Sequence, residues 1–203
     1  MREKETRLVY PLGPVNEQLP LLRGLISPLH ASKRTAELYI QSYIDTYNSK
    51  IANFRLTGIY GPRQFGGEDH GWVANFIIKT ILGKPIKIFG TDKQVRDILY
   101  VKDAAKAFYD WYENGCPTGT YNIGGGEATS ISIKELLDLV EELTGKRSEV
   151  EMLPMRHGDL WWFISDYRKA TITFNWSPYF MPECGVQQLI KWVEENKELF
   201  LEK

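Results

Sequence analysis

The sequence predicts an α/β fold with parallel strand pairing. Short apolar runs typical of strands alternate along the chain with amphipathic stretches typical of helices. The chain has 203 residues, of which 43% are hydrophobic, and this is enough for one compact unit over 1–203. A loop and a helix precede the first convincing strand, which begins only at Ile51. Because an α/β sheet usually starts with a strand and a glycine-bearing turn, the fold is predicted to be incomplete at its beginning.

Each predicted element has a local signal. Residues 10–28 are rich in Pro, Gly and Leu without helical spacing, which predicts a surface loop. Ser132 and Glu135 form a capping box before a helix that Gly145 ends, and Asp103 is the predicted N-cap of another. Periodicity and turn residues predict the other helices at 31–48, 71–82 and 185–199, a loop at 58–67, and strands at 51–56, 86–89, 98–101 and 120–123.

Charge and composition argue against several classes of function. The formal net charge of -1 gives no bulk attraction for nucleic acid or an anionic membrane. No apolar run approaches the roughly 20 residues that a membrane span needs, and the charged opening is unlike a signal peptide. The three histidines and two cysteines lack metal-ligand spacing. We therefore expect a cytoplasmic protein with no metal site.

The segment S-P-L-H-A-S-K-R-T-A-E, which begins at Ser27, precedes and enters the first predicted helix. It resembles the S-P-Y-x-x-S-K-x-x-x-E segment of extended short-chain dehydrogenase/reductases, in which the Tyr is the acid/base and the Lys binds the nicotinamide ribose. Residues four apart share a helix face, and a nearby cation lowers a phenol pKa. The resemblance gives Lys33 a catalytic and cofactor-binding role, but Leu29 occupies the Tyr position and cannot transfer a proton. Alternatively, Lys33 is a solvated helix lysine.

The second motif, R-L-T-G-I-Y-G-P-R-Q, begins at Arg55. It resembles the R-x-x-x-x-Y-G-P-R-Q turn of the same family, which lies beside nicotinamide and sugar, and so implies cofactor contact by Tyr60 and substrate contact by Gln64. The continuation F-G-G-E-D-H-G-W-V narrows the resemblance to enzymes similar to CDP-tyvelose (CDP-paratose) 2-epimerase, with His70 where that subgroup has Gln. A glycine- and proline-rich loop of purely structural value is the alternative.

The third motif, I-F-G-T-D-K-Q-V-R-D-I-L-Y-V-K-D, spans 88–103. It resembles the family string in which an Arg contacts the diphosphate of the sugar nucleotide. This resemblance assigns Phe89, Gln94 and Arg96 to the substrate. The planar guanidinium suits the task because it donates to two phosphate oxygens at once. The alternative is a structural ion pair between Arg96 and Asp97.

The fourth motif, P-M-R-H-G-D, spans 154–159. It resembles the family's P-x-R-x-G-D loop, in which the Arg and Asp reach the phosphates and the nucleotide ribose. Arg156 and Asp159 are therefore the predicted ligands of anionic oxygens and of ribose hydroxyls. A surface turn with a local ion pair is the alternative.

Together these motifs identify the chain as the C-terminal portion of an NAD-dependent nucleotide-sugar epimerase/dehydratase. The resemblance implies an incomplete Rossmann-type fold: residues 1–60 as a remnant of the dinucleotide-binding sheet, and 61–203 as mainly a nucleotide-sugar-binding lobe. It implies NAD as the cofactor and a CDP- or UDP-sugar as the ligand. We expect a truncated member that retains the nucleotide-sugar site and is inactive alone. The alternatives are a subunit of a split, active epimerase and a non-enzymatic binding or scaffold protein.

The resemblance also bears on assembly. In the family fold, the predicted strand at 51–56 and the helix at 31–48 pack on the part of the sheet that these residues lack. We therefore expect an unpaired strand edge, an exposed apolar flank containing Phe54, and an exposed helix face. A homo-oligomer or a separate N-terminal half is predicted to cover them.

Overall fold

The computed structural model of the chain describes residues 1–20 and 26–201. The loop predicted over 10–28 therefore lies partly outside the described residues. The helices are α1 (Pro28–Tyr47), α2 (Trp72–Ile81), α3 (Val101–Glu113), α4 (Ile133–Thr144), α5 (Arg168–Phe174) and α6 (Pro182–Glu195). The strands are β1 (Arg2–Glu3), β2 (Leu8–Val9), β3 (Ala52–Leu56), β4 (Gly58–Tyr60), β5 (Ile86–Phe89), β6 (Val95–Tyr100), β7 (Gly119–Ile123), β8 (Ser130–Ser132), β9 (Val150–Leu153) and β10 (Trp162–Phe163).

Most strand pairs are parallel, as the alternation of strands and helices predicts. Strand β6 is the centre of a four-stranded sheet, with β4 and β10 parallel and β8 antiparallel to it. Strand β3 pairs in parallel with β7, and β5 pairs in parallel with β9. Each parallel pair joins segments far apart in the chain, and these pairings set the positions of the loops that follow the strands.

Two clusters of buried side chains form the core. The larger packs α2, α4 and α6 against β5 and β6, and includes the fully buried Ile77, Leu136 and Leu189. The second packs α3 and α5 on β7, around Trp176 and Phe174. The amphipathic spacing of the helices predicts such burial, because residues three and four apart share one face.

Local differences from the predicted elements have identifiable causes. The capping box of Ser132 and Glu135 forms as predicted. Asp103, the predicted N-cap of α3, lies within the helix, and its carboxylate accepts the backbone N–H groups of Tyr179 and Phe180 at 3.0 and 2.9 Å. The Gly58–Tyr60 segment, predicted as loop, is β4, because pairing with β6 overrides its turn-like composition. Strand β6 begins at Val95 and α6 at Pro182, both earlier than predicted.

The environment of β3 and α1 differs in part from the prediction. The Phe54 ring is not an exposed flank. It packs against the rings of Phe108 and Trp111 at centroid distances of 5.1 and 5.8 Å. Helix α1 has no buried residue, as predicted for an exposed helix. Nowhere in 1–20 or 26–201 is there a helix both long and apolar enough to cross a membrane.

Candidate functional site

A cavity of about 270 Å³ gathers six of the seven side chains predicted to contact substrate. Pairing of β5 with β9 places Phe89 opposite Leu153, so the loop at 154–159 emerges beside the end of β5. Pairing of β6 with β10 places Arg96 opposite Phe163. Three motifs far apart in sequence therefore meet at one cavity. The predicted side chains that line it are Phe89, Gln94, Arg96, Arg156, Asp159 and His70.

Arg156 lies between an aromatic ring and an acidic turn. Its guanidinium carbon is 3.6 Å from the centroid of the Phe89 ring, a cation–π arrangement. Its Nη1 donates to the carbonyl oxygen of Glu68 at 3.1 Å and lies 3.1 Å from Oδ1 of Asp69. The ring supports one face of the guanidinium, whose N–H groups point outward in its plane. The ion pair of Arg156 is not the local one of the alternative, because its partner is Asp69, in the turn at 67–70, rather than a residue of the loop at 154–159.

Arg96 is anchored by backbone oxygens. Its guanidinium donates to the carbonyl of Val95 at 2.8 Å and, through a short hydrogen bond, to that of Leu160. Burial lowers the pKa of Arg96, while the carboxylates of Asp159 and Asp97 act in the opposite direction. A guanidinium held in partial burial beside an open cavity interacts more strongly with an incoming anion than one in bulk water.

Asp97 does not form the ion pair proposed as the alternative for Arg96. Consecutive strand residues point to opposite faces, and the Asp97 carboxylate points into the interior. There Oδ2 accepts a hydrogen bond from the backbone N–H of Gly126 at 3.1 Å and a short one from the Ser165 hydroxyl. Burial raises the pKa of Asp97, and these hydrogen bonds oppose the rise. Asp97 thus fixes the glycine-rich turn after β7 and leaves Arg96 to the cavity.

Three charged residues of the cavity are absent from the predicted set: Glu68, Asp69 and Lys87. The Glu68 carboxylate lies 3.4 Å from Nζ of Lys79 and 3.5 Å from Nζ of Lys87. Lys87 alternates with the buried Ile86 and Ile88 along β5, and this period-two pattern was the available signal for it. The acidic residues carry no comparable signal, because a polar pair in a glycine-rich turn is typical of any surface turn.

Gln64 and Tyr60 lie outside the cavity lining. The Gln64 amide nitrogen donates to the carbonyl of Ile59 at 3.1 Å, so this side chain closes the turn between β4 and α2. Tyr60 is only 1% exposed, and burial raises its pKa. The structure thus places the Tyr60 ring in the core, where it packs near Tyr100 at 5.8 Å, rather than on a surface open to a cofactor.

Lys33 and Leu29 lie on the exposed helix α1, and 62% of Leu29 is accessible. The start of α1 nevertheless borders the site. A Cβ added to Gly158, in the loop with Arg156, would be 3.9 Å from the His30 ring. The Lys33 side chain is not brought into the cavity. Within the described residues, no group of three or more His, Cys, Asp and Glu side chains is arranged to hold a metal ion.

Curated relatives resemble the chain over most of its length. It is 33% identical over 173 residues to CDP-paratose 2-epimerase of Salmonella typhi, a match that covers 82% of this chain and 51% of the relative. It is 34% identical over 188 residues to UDP-glucuronate 4-epimerase of Thermodesulfobacterium geofontis, covering 92% and 56%. The chain therefore spans about half the length of the curated relatives that it matches.

Solved structures show the same partial correspondence. The crystal structure of UDP-glucose 4-epimerase with UDP-glucose from Thermotoga maritima is 29% identical and superposes with a TM-score of 0.82, covering 95% of this chain and 60% of that one. UDP-glucuronic acid 4-epimerase from Bacillus cereus, in complex with UDP-glucuronic acid and NAD, is 26% identical with a TM-score of 0.80, covering 90% and 57%. These matches confirm an α/β fold that forms part of a Rossmann-type epimerase. A profile of the NAD dependent epimerase/dehydratase family matches residues 6–124, and the chain belongs to this family.

Proposed function

We propose that these residues bind a nucleoside diphosphate sugar in the cavity, with Arg96 and Arg156 as the ligands of the diphosphate. The observation that carries the proposal is the convergence of two guanidinium groups and the ammonium of Lys87 on one cavity. Charge-assisted hydrogen bonds from Arg to phosphate are among the strongest that proteins make. Asp159 lines the same cavity and supplies a carboxylate that can accept hydrogen bonds from ribose hydroxyls.

The comparisons support a nucleotide-sugar ligand. The relatives are named for CDP-paratose and UDP-glucuronate, and the two solved epimerases contain UDP-glucose and UDP-glucuronic acid. A CDP- or UDP-sugar is therefore the ligand class that we propose for this chain. The three cations of the cavity would contact the diphosphate that all these ligands share, so these contacts do not distinguish one base or sugar from another. The binding experiment below makes that distinction.

The described residues do not fit a complete NAD site. Of the side chains assigned to the cofactor, Lys33 is exposed on α1 and Tyr60 is in the core. Leu29 has no proton to give or take, so it cannot perform the acid/base step of the family reaction. We propose that these 203 residues are inactive alone, and we derive no hydride-transfer step through them.

A second candidate is a subunit of a split, active epimerase. It is supported by the aromatic residues Tyr39, Tyr43 and Tyr47 on α1, which are between 52% and 69% exposed. A dinucleotide-binding half on another chain would cover such a face. The third candidate, a scaffold protein without ligand, gives no role to the two arginines that converge on the cavity.

Titration calorimetry of the purified chain with UDP, CDP and their glucose conjugates tests the proposal. A charge-assisted hydrogen bond contributes roughly 1.5–3 kcal/mol, so we expect Arg156→Ala to weaken binding by about tenfold or more. Arg96→Lys, which keeps the charge but loses the planar fork, is expected to weaken binding less. Arg34→Ala, on exposed α1, is the matched control and should bind like the parent. Equal binding by the parent and both cavity variants would show that these arginines are structural.

A further inference from the structure

A tight turn of two acidic residues stands at the edge of the cavity. The Gly67 N–H donates to the carbonyl of His70 at 2.9 Å, and the His70 N–H donates back at 3.4 Å, which makes Glu68 and Asp69 the central residues. The preceding Gly66 is packed so closely that a Cβ there would be 2.3 Å from the backbone nitrogen of Asn75. The backbone of the turn is therefore fixed at its base, against the start of α2.

The turn already occupies two of the three cations that line the cavity, Arg156 and Lys87. Oδ1 of Asp69 lies 3.1 Å from Nη1 of Arg156, and the carboxylate of Glu68 lies within 3.5 Å of Nζ of both Lys79 and Lys87. An anion that enters the cavity competes with these carboxylates for the same N–H groups. The competition is sharpest at Arg156, where a single nitrogen faces both the Asp69 side chain and the Glu68 carbonyl.

We propose that Asp69 is an internal competitor for the ligand's phosphate: its carboxylate holds Arg156 and is displaced when a nucleoside diphosphate binds. The proposal rests on the proposed function of the cavity. The phosphate replaces the Asp69 carboxylate at Arg156, and the guanidinium stays in place because it remains supported by Phe89.

The geometry makes this exchange easy. The Asp69 side chain is 87% exposed, so it can leave Arg156 by rotation about its own bonds and enter solvent without moving the turn. The Glu68 carbonyl and the hydrogen bonds of the turn are unchanged by that rotation. An exposed carboxylate–guanidinium pair is weak, so a phosphate can displace it readily. Asp69 thus reduces the affinity of the cavity without blocking it.

Calorimetric titration of the parent, Asp69→Asn and Asp69→Ala with UDP and CDP tests the proposal. From the usual strength of an exposed ion pair, we expect both variants to bind about two- to fivefold more tightly. Asp45→Asn removes one negative charge from exposed α1, where Oδ1 accepts a hydrogen bond from Gln41, and should leave the affinity unchanged. A gain of equal size in this control would overturn the proposal, because it would mean that net charge alone sets the affinity.

A double-mutant cycle with Arg156→Ala distinguishes displacement of the Asp69 carboxylate from a longer-range electrostatic effect of its charge. Without the guanidinium there is nothing for Asp69 to hold, so Asp69→Asn should then give no gain. A gain as large as in the parent background contradicts displacement. If the parent binds and neither Asp69 variant differs from it, this inference fails while the proposed function stands. If none of the proteins binds, both fail. Binding by the Asp69 variants but not by the parent would support the proposal, because it would mean that Asp69 prevents binding in the parent.

Discussion

Arg156 lies over the ring of Phe89, with the guanidinium carbon 3.6 Å from the ring centroid, and both side chains line the same cavity. The two residues come from different segments of the chain, at the end of β5 and in the loop after β9. The ring gives the guanidinium a fixed support that a flexible arginine in solvent lacks. Phe89 therefore supports the guanidinium that we propose as a diphosphate ligand, although the ring itself carries no charge.

We expect Phe89→Leu to weaken binding of UDP or CDP by about two- to fivefold, because a cation–π contact contributes about 0.5–1 kcal/mol at such sites. Calorimetry measures the loss. Phe200→Leu is the matched control, since that ring packs against Phe65 and Trp192 away from the cavity. Unchanged affinity in Phe89→Leu, with the fold intact, would mean that Arg156 is positioned by the acidic turn alone.

Gly66 should be intolerant of any side chain. A Cβ at this position would meet the backbone nitrogen of Asn75 at 2.3 Å, and a backbone atom cannot move aside cheaply. We expect Gly66→Ala to lower the free energy of unfolding by about 1–3 kcal/mol, measured by urea denaturation. Gly58→Ala, whose nearest contact would be an ordinary 3.6 Å, is the comparison and should cost less. Equal losses would show that packing at Gly66 is not the determinant.

The Arg7–Glu135 contact links the N-terminal strands to α4 and should make stability depend on pH. Burial raises the pKa of Glu135, but hydrogen bonds from Arg7, the Ser132 N–H and Thr6 outweigh it and bring the pKa to about 2. Because the folded-state value lies below the unfolded one, the stabilisation is complete above about pH 4.5 and is lost as pH falls toward 2. We expect it to amount to at most about 3 kcal/mol.

Urea denaturation of the parent and Glu135→Gln between pH 2 and 7 measures this dependence. The difference in unfolding free energy between the two proteins should shrink as the pH falls. The Glu135→Gln variant should still lose stability as the pH falls, because it retains Glu37. The pKa of Glu37 is also lowered, to about 2, and the main cause is a hydrogen bond from Arg55. Glu194→Gln, at an exposed position of α6, should follow the parent. A difference that does not change with pH would contradict the assignment.

Helix α1 is expected to be an association surface. Tyr39, Tyr43 and Tyr47 recur every four residues, so they share one face, and each is more than half exposed. We expect concentration-dependent self-association by light scattering, reduced in Tyr39→Lys/Tyr43→Lys. Tyr179→Lys, at an 81% exposed position elsewhere, should have no effect. A monomer of 23.5 kDa at all concentrations would argue against a homo-oligomer and leave a separate N-terminal half as the proposed partner.

These 203 residues alone are expected to show neither micromolar NAD binding nor turnover of UDP- or CDP-sugars. Their sequence holds no G-x-x-G-x-x-G string, the motif whose turn normally holds the pyrophosphate, and Leu29 cannot act as acid or base. Leu29→Tyr should restore no activity by itself. Calorimetry with NAD and chromatography of the sugar nucleotides provide the readouts, with the Thermotoga maritima epimerase as positive control. Inversion of a sugar by this chain alone would contradict the expectation.

Sequence reasoning succeeded where the signal was local or periodic. The capping box at Ser132 needs only residues three apart, and it forms as predicted. The motifs around Phe89, Arg96 and Arg156 are short strings whose side chains the structure brings to one cavity, while their binding of substrate stays a prediction. It failed where distant pairing decides the outcome. Strand β4 has the composition of a turn, and only its partner β6 makes it a strand. Asp69 is an ordinary polar turn residue until the pairing of β5 with β9 places Arg156 beside it.

The parallel pairings that build the cavity also fix when it can exist. Ile86 pairs with Val150, and Arg96 pairs with Phe163. The walls of the cavity form only when these later residues are available for pairing. Contacts between such distant segments form slowly, because a long loop must close before they contribute. During synthesis, the chain therefore has to pass Phe163 before any ligand can be held. A ligand can therefore stabilise the folded chain, but it cannot stabilise a folding intermediate that contains only the first half of the chain.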